Sequence, residues 1–357
     1  MITPAGREYP VPFHETWNVT DSSKVGTFLR CRRMYFYEYI LGWRRAGVNN
    51  DLHFGHCIHY AMAHIMNNWH LILETNSLDP FVPDAYNKFL VKYRELIGPD
   101  EDLHNAPKCP GYVIESLVGY IEKFRSLDRG MRVLFTEVAG SVPIGVDEDG
   151  DSIVLYYRLD TVVEDPAINA VYILEHKTAK TFSPQWVSKW KMSHGLSTYV
   201  HILYCLYPPE RVWGAKVNGL RFRKRDGPDY VRVPVRKSQA MMNAWLWEVR
   251  DAVLDIRHEF DRLSQCSPSD DRMESFSCTG AHETCVQYWG CPYLDFCAGW
   301  ANPLARCQQV PQGYKVERWD PRDYEEDEGI TVKHIGGLSE QGGEDSGGSL
   351  DKGEEGD

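Results

Sequence analysis

No stretch of this 357-residue chain approaches the ~20 consecutive apolar residues of a membrane span. A bilayer-spanning helical protein is therefore not expected. The opening "MITPAGREYPVPFHETW" lacks a basic region followed by an apolar one, so no signal peptide is predicted. No internal repeat is visible, which argues against a solenoid or propeller. A basic excess is missing too. The formal charge is −12, which disfavours a polyanionic partner at first reading. That charge is unevenly spread, however. Asp320 to Asp357 holds 13 acids against 3 bases. The body before it is nearly neutral and can still carry a basic groove.

Apolar residues make up 43% of the chain, enough for one large domain or two ordinary ones. Three segments are expected: an irregular start (1–20), a main domain (21–318) and an acidic tail (319–357). From Ile335 the tail reads "IGGLSEQGGEDSGGSLDKGEEGD", rich in Gly, Ser and acid, and is predicted to be disordered. A cytoplasmic protein is expected.

Helical spacing dominates the first third. "DSSKVGTFLRCRRMYFYEYILGW" reads as one helix capped by Asp21 or Ser22. "FGHCIHYAMAHIMNNWHLILE", "DAYNKFLVKYRELIG" and "YVIESLVGYIEKFRSL" supply three more. The period then changes. "RVLFTEVAGSVPI", "SIVLYYRLDTVVED" and "AVYILEHKTA" are β-branched and aromatic runs split by the turn signals "DEDGD" and "EDPAIN", which predicts a meander. A helical stretch ("QWVSKWKMSHGLSTYVHILYCLY"), a strand ("GAKVNGLRFRK") and a long amphipathic helix ("SQAMMNAWLWEVRDAVLDIRHEFDRL") follow.

The chemistry-bearing residues gather at strand ends. Asp160 is expected to end one strand, and Glu175, His176 and Lys177 follow the apolar "VYIL" on the next. Glu175 and Lys177 are two apart and share a strand face. Hard divalent cations prefer carboxylate oxygens, and such an ion polarises a phosphodiester and activates water. A lysine alongside can act on that water. The His176 main-chain carbonyl can add a ligand while its ring turns away. The same residues also describe a solvated strand end, and Asp-x(n)-Glu-x-Lys occurs in many unrelated chains.

Ten cysteines are present, five of them between Cys278 and Cys307. Without a signal peptide such a cluster reads as a metal site. Cys285-x5-Cys291-x5-Cys297 offers three thiolates and Cys31 a fourth from the far end. Spacing leaves Zn²⁺ and a [4Fe–4S] cluster both open. Cys57, Cys109 and Cys205 read as packing thiols.

Asp160 with "EHK" resembles the core of the PD-(D/E)XK nucleases, in their RecB-like exonuclease branch. "SSKVGTFLRCRRMYFYEYILGW" resembles its opening helix, with Arg32 where proline is usual. "FGHCIHYAM" resembles its G-x-x-x-H helix, Glu137 in "FTEVAG" its acid before the G-x-x-D strand, and "CVQYWGCPYLDFC" its closing cysteine cluster. The match runs from about Ser22 to Cys297 and is best with phage-type members. It implies an α/β restriction-endonuclease-like core, a mixed central sheet flanked by helices, with the terminal segments joined at an iron–sulfur cluster.

The resemblance implies a Mg²⁺- or Mn²⁺-dependent DNA exonuclease of recombination, repair or phage DNA processing. A recombination or replication protein would be a partner, and host cytoplasm the location if the chain is viral. The metal would be held by His59, Asp160 and Glu175 with His176, and Lys177 would act on the water. [4Fe–4S] would sit on Cys31, Cys285, Cys291 and Cys297, with Cys278 as a substitute ligand. Gly55 would let its helix approach the sheet. DNA contacts fall on Thr178, Lys180 and Tyr199.

Two positions depart from the pattern: Tyr157 stands where glycine is frequent, and Gly195 where a DNA-holding Gln is frequent. The second keeps open a non-cleaving DNA-binding or assembly protein on the same scaffold. "RFRKRDG" and "KTAKTFSPQWVSKWK" interleave bases with aromatics, as a nucleic-acid surface does, and equally as a solvated face over core tryptophans.

Overall fold

The computed structural model describes residues 7–277, 282–286, 290–327 and 329–336. Asp21 caps helix α1 (Ser22–Arg30), its carboxylate accepting the Lys24 amide at 2.8 Å. The expected single helix breaks at Cys31, whose backbone is extended (φ −164°). The Cys31 thiol accepts the Met34 amide instead, starting a new short helix, Arg32–Tyr35. Strand β1 (Trp43–Arg45) follows.

Helix α2 (Asn50–Asn67) begins ahead of the expected Phe54, because Asn49 caps it by accepting the Asp51 and Leu52 amides. It stops at Asn68, before a separate short helix, Trp69–Thr75. Helices α3 (Phe81–Arg94) and α4 (Val113–Phe124) complete one layer.

The expected meander is present as β2 (Arg132–Val146), β3 (Ser152–Asp165) and β4 (Ala170–Ala179), paired antiparallel. Asp160 thus lies within β3, not at its end. Helix α5 (His194–Leu206) crosses over to β5 (Val212–Arg221), which runs parallel to β4. Strand β6 (Asp229–Val235) then pairs antiparallel with β5. β6 was not anticipated. Pro234 interrupts its β-branched run, which an edge strand tolerates because the missing N–H is not needed there.

After the long helix α6 (Gln239–Leu263), β7 (Tyr314–Val316) pairs with β1, and β8 (Thr331–Val332) adds parallel to β2. The main sheet therefore has the order β6-β5-β4-β3-β2-β8.

Strand alternation sorts the core. Tyr172 and Leu174 face the α2–α4 layer with Ile58, Phe89 and Tyr120. Val171 and Ile173 face α5 and α6 with Val200, Leu203, Trp245 and Val249. A third apolar group, including Tyr37, Trp43, Phe260, Phe276 and Tyr293, ties the start of the chain to its late segment.

The tail boundary expected at 319 falls inside packed structure. The Trp319 indole donates to Asp21 at 3.0 Å, and the Lys333 and Ile335 amides bond the β2 carbonyls of Ala139 and Ser141. Tyr157, at the position where glycine was anticipated, donates its hydroxyl to the Lys333 carbonyl at 2.6 Å. Gly140 (φ +153°) makes room for this strand, since a Cβ there would lie 1.9 Å from the Lys333 oxygen. Residues 1–6, Cys278 and the 337–357 part of the predicted disordered tail lie outside the described residues. No helix among the described residues is long and apolar enough to cross a membrane.

Candidate metal centre

Regular pairing of β3 with β4 stops at Thr161↔Leu174, and the strands part beyond it. Asp160 fills the gap: one carboxylate oxygen accepts the His176 amide at 2.6 Å. The other lies 3.0 Å from His59 Nδ1 on α2. Asp160 therefore holds two diverging strands and a helix at one point.

Glu137 lies opposite Asp160, between the pairs Thr136↔Thr161 and Val138↔Leu159. Its φ of +47° is unusual for a side chain with a Cβ, and such strain persists only where surrounding contacts enforce it. Here Glu137 Oε2 is held 2.8 Å from Arg158 Nε. Ligand atoms of His59, Glu137 and Asp160 lie within 4.8 Å of one another, close enough to hold one ion. On β4, Lys177 Nζ lies 2.5 Å from Glu175 Oε1, while Glu175 Oε2 is buried with no protein partner. An orphaned buried carboxylate oxygen costs free energy unless something pairs with it, and a divalent cation fits.

The charges are strongly coupled. Burial alone would push the Asp160 carboxyl up, but His59 and Lys177 outweigh it and hold it well below the usual range. Burial, then the Asp160 charge, pushes Glu175 up to about 7 against the pull of Lys177. Burial and Asp160 likewise raise Glu137. Burial opposes the charge on His59 and Lys177, yet the neighbouring carboxylates keep both protonated above their ordinary values. Without an ion, then, the site is a set of acids neutralised by an imidazole, an amine and protons.

The remaining sequence-derived residues divide. The His176 ring turns away, against Tyr120 at 5.8 Å, and burial with no ring partner holds it neutral, down at about 3. Tyr199 lies within the field of Glu175 and Asp160, which adds to burial in raising its hydroxyl. Thr178 alternates onto the opposite face of β4 from Glu175 and Lys177, and Lys180 follows the end of the strand. Lys180 pairs with Asp51 at 2.8 Å beside a cleft of ≈ 530 Å³ also lined by Asn49, Asn50, Lys108 and Phe222. Gly55 is not essential to the helix approach: a Cβ there would stand 3.4 Å from Thr178 Oγ1, an ordinary contact.

In the basic-aromatic stretch, Trp190 is buried, and Phe182 and Trp186 cover Gly219 on β5. Those rings serve packing. Arg158 was missed by sequence reasoning, although its place two residues before Asp160 puts both on one face of β3.

The cysteines converge from both ends of the chain. Burial pushes the Cys297 thiol up to about 11, Arg33 opposes this, and the fields of Cys31, Cys291 and Cys285 add to it. Cys31 and Cys285 act on Cys291 in the same way, after its burial. The Cys291 amide donates to the Cys285 carbonyl at 2.8 Å. Cys31, Cys285, Cys291 and Cys297 thus bring the first helical region and the late segment to one neighbourhood. The Cys266 and Cys307 thiols instead meet the local carbonyls of Arg262 and Leu304.

A family model described as "PD-(D/E)XK nuclease superfamily" matches residues 22–298. The comparison with curated proteins finds no match. Among solved structures, "SSO0001" is 15% identical, with 47% of this chain and 69% of that chain covered and a TM-score of 0.25. A structure named "Putative exonuclease" from Eubacterium rectale is 12% identical, with 70% and 87% covered and a TM-score of 0.41.

Proposed function

Because this chain belongs to the PD-(D/E)XK nuclease superfamily, we propose that it is a metal-dependent DNA exonuclease of recombination, repair or phage DNA processing. One observation carries the reading: His59, Glu137 and Asp160 present ligand atoms to one point, beside a Glu175–Lys177 pair with a spare carboxylate oxygen. His59, Asp160, Glu137 and Glu175 would hold Mg²⁺ or Mn²⁺, with the His176 carbonyl as a further ligand. When bound, the ion supplies Lewis acidity, polarising the scissile phosphate and lowering the pKa of a water.

The chain's own groups do the rest. Lys177 stays protonated beside two carboxylates, so it orients the water and faces its charge toward the negative charge growing on the phosphate. Its role is electrostatic and positional rather than that of a free base. Asp160 fixes His59 and the β4 backbone in place. Tyr199 on α5, Thr178 on β4 and Lys180 just past the end of β4 would meet the DNA backbone.

Cys31, Cys285, Cys291 and Cys297 would hold a [4Fe–4S] cluster, with Zn²⁺ as the alternative. That group would staple the first helical region to the late segment and restrain the unfolded chain. A cytoplasmic setting and a recombination or replication partner accord with this reading.

Incubating end-labelled linear DNA with Mn²⁺ tests the proposal. Wild type should degrade it and Lys177→Ala should not; equal degradation by both removes the assignment. A second reading, a non-cleaving DNA-binding or assembly protein, is favoured by Gly195 at the usual Gln position. It predicts binding without degradation by either protein.

A further inference from the structure

Arg158 has two carboxylate partners of different origin. Its Nε binds Glu137 of the metal group, and its Nη1 lies 2.8 Å from Asp327 Oδ2, which comes from the far end of the chain. The same Asp327 oxygen accepts the Tyr60 hydroxyl at 3.3 Å. Around it stand Lys92, whose Nζ lies 5.3 Å from the Tyr60 ring centroid, and His56, whose ring packs edge-on against Tyr60 at 5.2 Å. The Tyr324 ring covers the other side of Arg158, 4.8 Å from its guanidinium carbon. Lys92 is itself paired with Glu95 at 3.1 Å, whereas Asp327 is the acid that the late segment brings to Arg158 and Tyr60.

We propose that Arg158 and Tyr60 form a subsite for a DNA backbone phosphate next to the metal centre, which Asp327 occupies in the free protein as an internal phosphate mimic. The inference rests on the nuclease reading for the identity of the anion. A planar guanidinium with a hydroxyl donor beside it binds a phosphate as readily as a carboxylate. The place suits the backbone of the cleaved strand, because the same guanidinium also holds Glu137. An arriving phosphate would displace Asp327 and leave the Arg158–Glu137 bond intact.

The segment carrying Asp327 is anchored on both sides. Beyond it β8 is anchored on β2, and before it Trp319 is anchored on Asp21. Between these anchors Asp323 and Glu326 are exposed and Asp327 is half-buried. Its acids add a local negative field that DNA would have to displace.

The test separates binding from cleavage. Fluorescence anisotropy of labelled DNA would be measured with Ca²⁺ in place of Mn²⁺, for wild type, Asp327→Asn, Glu326→Gln and Asp327→Asn/Arg158→Ala. Glu326→Gln removes the same charge from an exposed neighbour. Asp327→Asn should tighten binding several-fold and steepen the dependence of log K on log salt by about 0.9, one extra phosphate neutralised. Glu326→Gln should do much less, and the double variant should lose the gain.

An unchanged affinity for Asp327→Asn, or an equal gain from Glu326→Gln, overturns the subsite. If Arg158→Ala unfolds, Tyr60→Phe in the Asp327→Asn background replaces it and should lower the gain. If Asp327→Asn tightens binding but no variant degrades DNA with Mn²⁺, the subsite stands and the nuclease reading falls. If wild type degrades DNA and Asp327→Asn binds as wild type does, only the subsite falls.

Discussion

Lys177 and Glu175, two residues apart on one face of β4, meet at 2.5 Å and leave a second carboxylate oxygen of Glu175 buried and unpartnered. The pair fixes an amine against one carboxylate oxygen and leaves the other to accept a further ligand.

Replacing Lys177 by Ala should lower single-turnover DNA cleavage by about 10²–10³-fold, the usual effect of losing one preorganised charge-stabilising donor. Mn²⁺ affinity should not weaken, because an opposing positive charge is removed. A large fall in Mn²⁺ affinity would mean that the lysine organises the ligands rather than the reaction.

Glu137→Gln should weaken Mn²⁺ binding by about tenfold or more, read by isothermal titration calorimetry. The prediction follows from its ligand atom lying with those of His59 and Asp160. Unchanged Mn²⁺ affinity would return Glu137 to the role of an Arg158 partner.

The stability that Glu175 lends the metal-free protein should be lost as pH rises from about 4.5 through about 7, read as the difference in Tm between wild type and Glu175→Gln. Glu175 and His59 have ordinary values of 4.5 and 6.5, and the fold raises both. For Glu175 the folded state binds more protons than the unfolded chain between about 4.5 and about 7, so the contribution of this group falls as pH rises, whereas histidines that the fold lowers, such as His56 and His176, act in the opposite sense below their ordinary 6.5. Asp160 shifts the opposite way, but its window lies below 3.8. Saturating Mn²⁺ should abolish this fall, because the ion replaces the proton on Glu175. A Tm difference between wild type and Glu175→Gln that does not fall over this range would contradict the charge arrangement.

Anaerobically purified protein should be brown, with about four irons per chain. Cys297→Ala should abolish the colour and lower the Tm, whereas Cys205→Ser, at an exposed position outside the four-thiol group, should do neither. A colourless preparation with one zinc would replace the cluster by the simpler tetrathiolate ion.

Much of the site was legible in the chain. The Glu175-x-Lys177 spacing places two side chains on one strand face whatever the rest of the protein does, because the strand period is two. The apolar alternation of β2, β3 and β4 and the helical spacing around His59 are local in the same sense. The break at Cys31 and the start of α2 at Asn50 were less visible, since each turns on one side chain capping a few amides.

The sequence by itself determined which chemical groups were available and in what local phase. It did not determine their company. Glu137 joins the metal group only because β2 pairs opposite Asp160 with a positive φ, and Arg158 gains meaning only when Glu137 and Asp327 arrive from remote positions. Likewise, β8 and the segment before it are too short and too acidic to announce a strand. They are held by an exposed sheet edge that exists only after β2 has paired with β3. Local periodicity is encoded within a few residues, whereas register and long-range ion pairs arise from the packing of the whole sheet.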